Sequence, residues 1–368
     1  MTSIVACGDV GACRADCSSI FSGSRSAFAA ADLCFAQLET TISTRGSKAP
    51  NARLAMRAPE AFAATLHEVG IDVVSFASNH CLDFGYEAFS DTLRHLGAAG
   101  VRVCGAAANL AAARQPIFCE LASHRVALIA ASSILPEGYA AQANKAGCAP
   151  MRALSLYEPT EPDQPGTPPR VHTFAHRDDL CALTEALRRA HAAADLVLVS
   201  LHWGIHMVPF VLADYQREVA HAVIDAGADA VLGHHPHILK AIELYRGKPI
   251  YYSLGNFAIE QPHVWDPTIL RTDSFRNLVS LNPEWDLSKR YTLPENTRAT
   301  GLAKLLIEKG ASLECRFCPA WVDDDSAPQM LHAGDPRFGT VCDFLERSTR
   351  AVGLATRFER DGDELVLS

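Results

Sequence analysis

The first 260 residues alternate short apolar runs with amphipathic stretches of helical length, and this alternation limits the fold more than any other feature of the chain. "SIVACGDV", "DLCFAQLET", "IDVVSFASNH", "VRVCG", "HRVALIAAS", "DLVLVSLHWG", "DAVLGHHPH" and "KPIYYSLGNF" read as strands. Between them, "PEAFAATLHEVG", "GYEAFSDTLRHLGAAG", "DDLCALTEALRRAHAAA" and "DYQREVAHAVIDAG" read as helices. Strands spaced by helices of this length indicate βαβ units and a mainly parallel sheet covered on both faces. With 368 residues, 48% of them hydrophobic, the chain has ample material for such a core.

Two segments break the pattern. Residues 136–170 are rich in proline, glycine and alanine ("PEGYAAQANKAGCAP", "EPTEPDQPGTPP") and read as a long excursion over the sheet. Loops this long on a rigid scaffold commonly act as lids and carry specificity. From about residue 262 the strands become less clean, and the closing "RFERDGDELVLS" reads as a hairpin turning at "DGD".

Several function classes are excluded early. A formal net charge of −9 argues against a nucleic-acid binder, which would show a basic face. The longest apolar runs are strand-sized, well below the ~20 residues that span a bilayer. "MTSIVAC" before "GDVG" has neither the basic start nor the long apolar stretch of a signal peptide, so the expectation is a cytoplasmic protein with no membrane segment. The twelve cysteines are then expected as reduced thiols, with Cys7, Cys34, Cys104 and Cys119 packing as small hydrophobes. Cys315 and Cys318 form a lone C-x-x-C without the second pair of a structural zinc site. There is no G-x-x-x-x-G-K-[ST] phosphate loop, so an ATP-driven ligase would need another chain.

Metal-capable residues sit at the end of one expected strand after another: Asp9, Glu39, Asn79 with His80, His202, and His235 with His237. In open α/β sheets the carboxyl ends of strands form the ligand crevice. Taken singly, an Asp or Asn there is a turn residue or helix cap, and His202 a satisfied buried histidine. Taken together they exceed turn chemistry, because capping does not call for histidine. In "GHHPH", an extended chain would put His235 and His237 on one side and turn His234 away. Carboxylate, amide oxygen and imidazole without thiolate suit Mn²⁺, Fe²⁺ or Zn²⁺. About six ligands exceed one tetrahedral site and suit two ions ~3.5–4 Å apart sharing a carboxylate.

In order and spacing, "GDVGACR", "FAQLET", "SNHCLDFG", "LHWG" and "GHHPHILKAIELYRGKPIYYSLGNF" resemble the CapA family, named for poly-γ-glutamate capsule synthesis and related to the calcineurin-like metallophosphoesterases. The likeness runs from about residue 4 to 260. It implies an α/β fold, a four-layer metallophosphoesterase-like sandwich of mixed β-sheets flanked by helices. Residues 1–261 would be the catalytic domain and 262–368 an accessory segment packed on it. It further implies one or two divalent transition ions (Mn, Fe or Zn). Asp9 would bind the first, Glu39 would bridge, Asn79 and His202 would bind the second, and His235 and His237 would serve one each. His80 would protonate the leaving group, with Asp83 orienting it. Arg14, His206, His234 and Asn256 would contact a small anionic substrate, Arg14 by gripping its charge; for His234 a packing role is the alternative.

The sequence also departs from that family. Gln37 stands where Asn is usual, and His206 where Glu is common, two residues past Trp203–Gly204. Asp9 is followed by Val10 and Gly11, so the D-x-H of ordinary phosphoesterases is missing and the first ion has one ligand fewer; a single-ion centre is the alternative. The implied activity is hydrolysis of a phosphoester or of an amide/γ-glutamyl bond by metal-activated water. The alternatives are a non-catalytic accessory protein of poly-γ-glutamate biosynthesis and a plain α/β binding protein with structural histidines. The sequence carries no signal for oligomeric state.

Overall fold

The computed structural model describes residues 1–52, 54–280, 283–308 and 313–368. Their strands form two large sheets that share a core, to which Ile4, Phe35 and Val74 contribute from one sheet and Leu128, Leu198 and Leu232 from the other.

In the first sheet the strand Thr2–Gly11 is central. On one side lie Leu33–Leu38, Val73–Ser75 and Arg102–Cys104, all parallel. Its other edge is shared. Ala299–Ile307 runs antiparallel along Thr2–Ala6, and Asn256–Ile259 runs parallel along its last residues, with Asn256 opposite Asp9. Glu314–Val322, Glu364–Leu367 and Phe358–Asp361 continue the sheet outward. In the second sheet Arg125–Ser132, Leu196–His202, Ala230–His234 and Lys248–Tyr251 are parallel, with antiparallel strands at both edges.

The burial pattern explains the apolar runs. Along Leu196–His202, Leu196 and Leu198 face the core between the sheets, while Val197, Val199 and Leu201 face the helices Arg177–His191 and Asp214–Asp225. Side chains alternate along a strand, so one buried on both faces is apolar at every position. On the first sheet the helix Pro336–Ala351 packs over Ala299–Ile307 and Glu314–Val322 through Val341 and Leu345.

The α/β sandwich of mixed sheets flanked by helices is what the family resemblance implies. The single, mainly parallel sheet expected from the alternation of elements is not formed. Periodicity reports which faces of a strand are covered, not which strand lies beside it. "KPIYYSLGNF" shows the consequence: Lys248–Tyr251 belongs to the second sheet and Asn256–Ile259 to the first. The chain crosses between them over residues 252–255, where Gly255 takes a φ of +74°. "IDVVSFASNH" yields only the strand Val73–Ser75. Beyond it, serine hydroxyls offer the backbone an alternative to the ladder: Ser75 Oγ accepts from Ala77 N at 3.3 Å and Ser78 Oγ from His80 N at 2.9 Å. Residues 136–170 are more ordered than a bare excursion. Gly147–Cys148 pairs with Ala106–Ala107, and Ala153–Glu158 pairs with Arg170–Ala175 as a two-stranded ribbon. The closing hairpin pairs Phe358–Asp361 with Glu364–Leu367. All twelve cysteines are free thiols, and no helix among the described residues is long and apolar enough to cross a membrane.

The strand crossing requires a close backbone approach. Asp9 N donates to Gly255 O at 3.1 Å, and a Cβ on Gly8 would stand 2.0 Å from that same oxygen. Gly8→Ala is therefore expected to destabilise the fold by ~1–3 kcal/mol, as overpacking does, measured by urea unfolding. Gly97→Ala, on a helix with open space around it, is expected to be neutral or stabilising by up to ~1 kcal/mol.

Candidate metal centre

The strand ends of both sheets meet at one edge of the sandwich. Asp9 lies in the central strand between Gln37 and Asn256. Glu39 directly follows Leu33–Leu38 and is fixed there by its N–H donating to Val10 O at 3.0 Å. His202 is the last residue of its strand, and His235 and His237 follow Ala230–His234. Asn79 and His80 come from the serine-capped loop after Val73–Ser75.

One donor atom from each of Asp9, Glu39 and His202 lies within 4.8 Å of the other two, and all three residues are buried. His202 Nδ1 is 3.1 Å from Glu39 Oε1, and His202 Nε2 is 2.7 Å from Asn79 Oδ1. The ring centroids of His202 and His235 are 4.9 Å apart. Opposite them, His237 Nδ1 is 3.2 Å from Asp9 Oδ2, and its Nε2 is 3.9 Å from Glu39 Oε2. His235 and His237 do not sit on one side of an extended strand. Both have left-handed backbone, φ +91° and +54°, a conformation costly for residues with a Cβ. The strand has already ended at His234, and the chain turns both rings into the cleft.

Several of these atoms are close together yet make no hydrogen bond. Both Asp9 oxygens, Glu39 Oε2, His202 Nδ1 and His235 Nδ1 are buried without a partner. Buried polar groups left unpaired are costly, and donors of Asp9, Glu39 and His202 gathered within 4.8 Å of one another fit a bound cation. Burial, with Asp9 alongside, drives the Glu39 carboxyl well above the usual carboxylate range. Burial and the neighbouring imidazoles hold His202 and His235 well below the usual histidine range. Burial also opposes charge on His237, but Asp9 and Glu39 beside it outweigh that and hold its pKa up. Two carboxylates with the neutral imidazoles of His202 and His235 suit a divalent transition ion.

His80 and Asp83 are paired, with Nδ1 to Oδ2 at 2.7 Å, and His80 Nε2 is 3.7 Å from Glu39 Oε2. Tyr139, which the sequence pattern does not single out, donates its hydroxyl to Asp83 Oδ1 at 3.1 Å. Its only signal is its place in the proline- and glycine-rich segment.

The expected substrate contacts divide. His206 is at the mouth, an exposed residue whose ring leans inward, 5.5 Å and 5.1 Å from those of His235 and His237. The other three have partners within the fold. Arg14 is not free to grip an anion: its Nε donates to Glu260 Oε1 at 3.1 Å, and it also holds Asp325 O, because a buried carboxylate needs a counter-charge. Asn256 is buried and props His237, with Oδ1 at 2.8 Å from Nδ1, while its Nδ2 donates to Tyr291 Oη at 3.1 Å. His234, the last strand residue, is fully buried, with Nδ1 3.7 Å from Asp9 Oδ1 and its ring 6.0 Å from that of Phe35. The fold thus defines a two-sheet α/β protein with a buried carboxylate–imidazole centre at its strand ends.

Residues 3–261 match the family described as bacterial capsule synthesis protein PGA_cap, and the chain belongs to that family. It is 34% identical over 231 residues to a Mycobacterium tuberculosis protein named as a probable polyglutamine synthesis accessory protein, covering 62% of this chain and 55% of that one. It is 30% identical over 197 residues to the PGA biosynthesis protein CapA of Bacillus subtilis, covering 53% and 44%. The chain therefore spans about half the length of the curated relatives it matches. A crystal structure of a hypothetical protein from Thermus thermophilus superposes with a TM-score of 0.45 at 16% identity, over 86% of this chain and 99% of that one.

If the centre holds an ion, excess Mn²⁺ or Zn²⁺ stabilises the folded chain by mass action, ~2.7 kcal/mol at a hundredfold excess over Kd. The expected outcome is a rise in Tm with either ion that Glu39→Gln and Asp9→Asn abolish. Protons compete for the same donors, and the raised Glu39 pKa adds to that competition, so bound metal measured by elemental analysis should fall as the pH is lowered.

Proposed function

We propose that this chain is a metal-dependent hydrolase acting on a phosphoester or an amide/γ-glutamyl bond of a small anionic substrate. The observation that carries this reading is the division of Glu39: Oε1 faces His202, and Oε2 faces His237 and His80. That is the placement expected of a carboxylate shared between two ions. Asp9 and His237 would hold one, and Asn79, His202 and His235 the other. A bound divalent ion supplies Lewis-acid stabilisation of developing negative charge and lowers the pKa of water.

The chain's own groups do the rest. With its Nδ1–H donated to Asp83, the doubly protonated His80 ring turns its Nε2–H toward the centre; passing that proton to a departing oxygen or nitrogen leaves the neutral Nδ1–H imidazole still held by the Asp83 carboxylate. Asp83 is itself fixed by the Met56 N–H at 3.2 Å and the Tyr139 hydroxyl, so the imidazole keeps one orientation. Residues 1–261 would form the catalytic domain, with 262–368 an accessory segment on it. The Tyr291 hydroxyl, which braces Asn256 behind His237, supports that division of labour. The twelve free cysteines support a cytoplasmic setting.

The names of the relatives favour a second reading, a non-catalytic accessory role in poly-γ-glutamate synthesis. Protein loaded with Mn, Fe or Zn and screened against p-nitrophenyl phosphates and γ-glutamyl amides separates the two. Turnover of neither series by stoichiometrically loaded protein would leave the accessory role. For the enzyme, His80→Ala is expected to keep its metal and lose ~10²–10⁴-fold in kcat; metal loss in that variant would make His80 a ligand instead. His206→Glu, at the mouth, is expected to reorder kcat/KM across the substrate panel with metal content unchanged.

A further inference from the structure

Three residues beyond His237, the chain buries a lysine that the centre does not use. Lys240 is 1% exposed, and burial lowers its pKa to about 8. Among the described residues its ammonium has no carboxylate partner. It donates instead to two backbone carbonyls, those of Val208 and of Val211, the latter at 3.1 Å. A buried charge without a counter-charge is unfavourable, and a methionine of similar length would fill the same space without that penalty. What the ammonium adds is a pair of charge-assisted hydrogen bonds to one loop.

That loop, residues 204–212, joins the strand Leu196–His202 to the helix Asp214–Asp225 and carries His206. Val208 and Val211 are 45% and 42% exposed, and Met207 and Phe210 both adopt positive φ, +55° and +60°. The loop's two ends are anchored, with Gly204 N donating to Tyr215 Oη at 2.7 Å and Ile205 and Leu212 packed against the core. Between them Met207 N donates to Pro236 O at 2.8 Å, while the Phe210 ring lies 5.3 Å from that of Phe344. Lys240 joins positions 208 and 211 from beneath, beginning two residues after the His206 ring that leans on His235 and His237.

We propose that Lys240 is a positioning residue that pins the 204–212 loop and thereby holds His206 over the mouth of the centre. The part played by His206 rests on the hydrolase reading; the pinning does not. In metal-free protein, Lys240→Met is expected to speed amide exchange across residues 205–212 by about tenfold or more, with the amides of Leu196–His202 unchanged. Unchanged exchange in the loop would overturn the proposal. If Lys240→Met does not fold, the wild-type protein supplies the test. Acylation by a small amine-reactive reagent should modify Lys240 at least about tenfold more slowly than the half-exposed Lys289, and comparable rates would overturn it. In active, metal-loaded protein the variant should raise KM with kcat nearly unchanged; a fall in kcat at constant KM would place Lys240 with the reacting groups and overturn the positioning role. Exchange needs neither metal nor substrate, so a loop that depends on Lys240 in a protein with no turnover would remove the hydrolase reading and leave this one standing.

Discussion

Two buried carboxylates, Asp9 and Glu39, stand side by side with three of their four oxygens unpaired. Taken alone, such a pair is repulsive and poorly solvated, and burial raises the Glu39 pKa accordingly. The surrounding structure answers this with imidazoles rather than with lysine or arginine. Those two cations are kept away: Arg14 and Arg290 are spent on Glu260, and Lys240 on the carbonyls of Val208 and Val211. Had either type reached the cleft, it would have formed a closed ion pair with Asp9 or Glu39. The neutral rings of His202 and His235 leave negative charge available to a divalent ion instead.

Holding that unfavourable cluster together falls to the two sheets. The central strand places Asp9 between Gln37 and Asn256, and the second sheet brings His202 and His234 level with each other across their shared ladder. The crossing at residues 252–255 ties the sheets at this edge, since one chain leaves the second sheet at Tyr251 and enters the first at Asn256. Each ligand candidate then has support from another element. Asn256 and Tyr291 stand behind His237, and Ser78 shares Glu39 Oε1 at 3.4 Å. His235 and His237 themselves hold left-handed backbone, which a well-braced surrounding tolerates.

Much of the candidate site is legible in the sequence. Asp9, Glu39 and His202 stand out because each ends an apolar run, and parallel strands direct their carboxyl ends to one edge. His80 with Asp83 is legible from spacing, since residues three apart can meet in a turn. What misleads is local geometry inferred without partners. Arg14 looks available because its partner Glu260 is 246 residues away along the chain. His234 and Asn256 look like pocket residues, yet both are buried, His234 beside Asp9 and Asn256 hydrogen-bonded to His237. Tyr139 gives no warning because a single tyrosine in a proline- and glycine-rich stretch has no periodic or motif signature.

Which faces of each strand are covered is written in the amino-acid order, since burial on both sides demands an apolar residue at every position. The chemistry at the strand ends is written there too, because side-chain type is specified residue by residue. Which strands become neighbours is not. Folding in three dimensions split "KPIYYSLGNF" between two sheets, set Asn256 opposite Asp9, and turned His235 and His237 into one cleft through positive φ. The physical reason is range: periodicity and capping are set by residues a few positions apart, whereas strand pairing, counter-charges and burial are set by groups that meet only after the chain has folded.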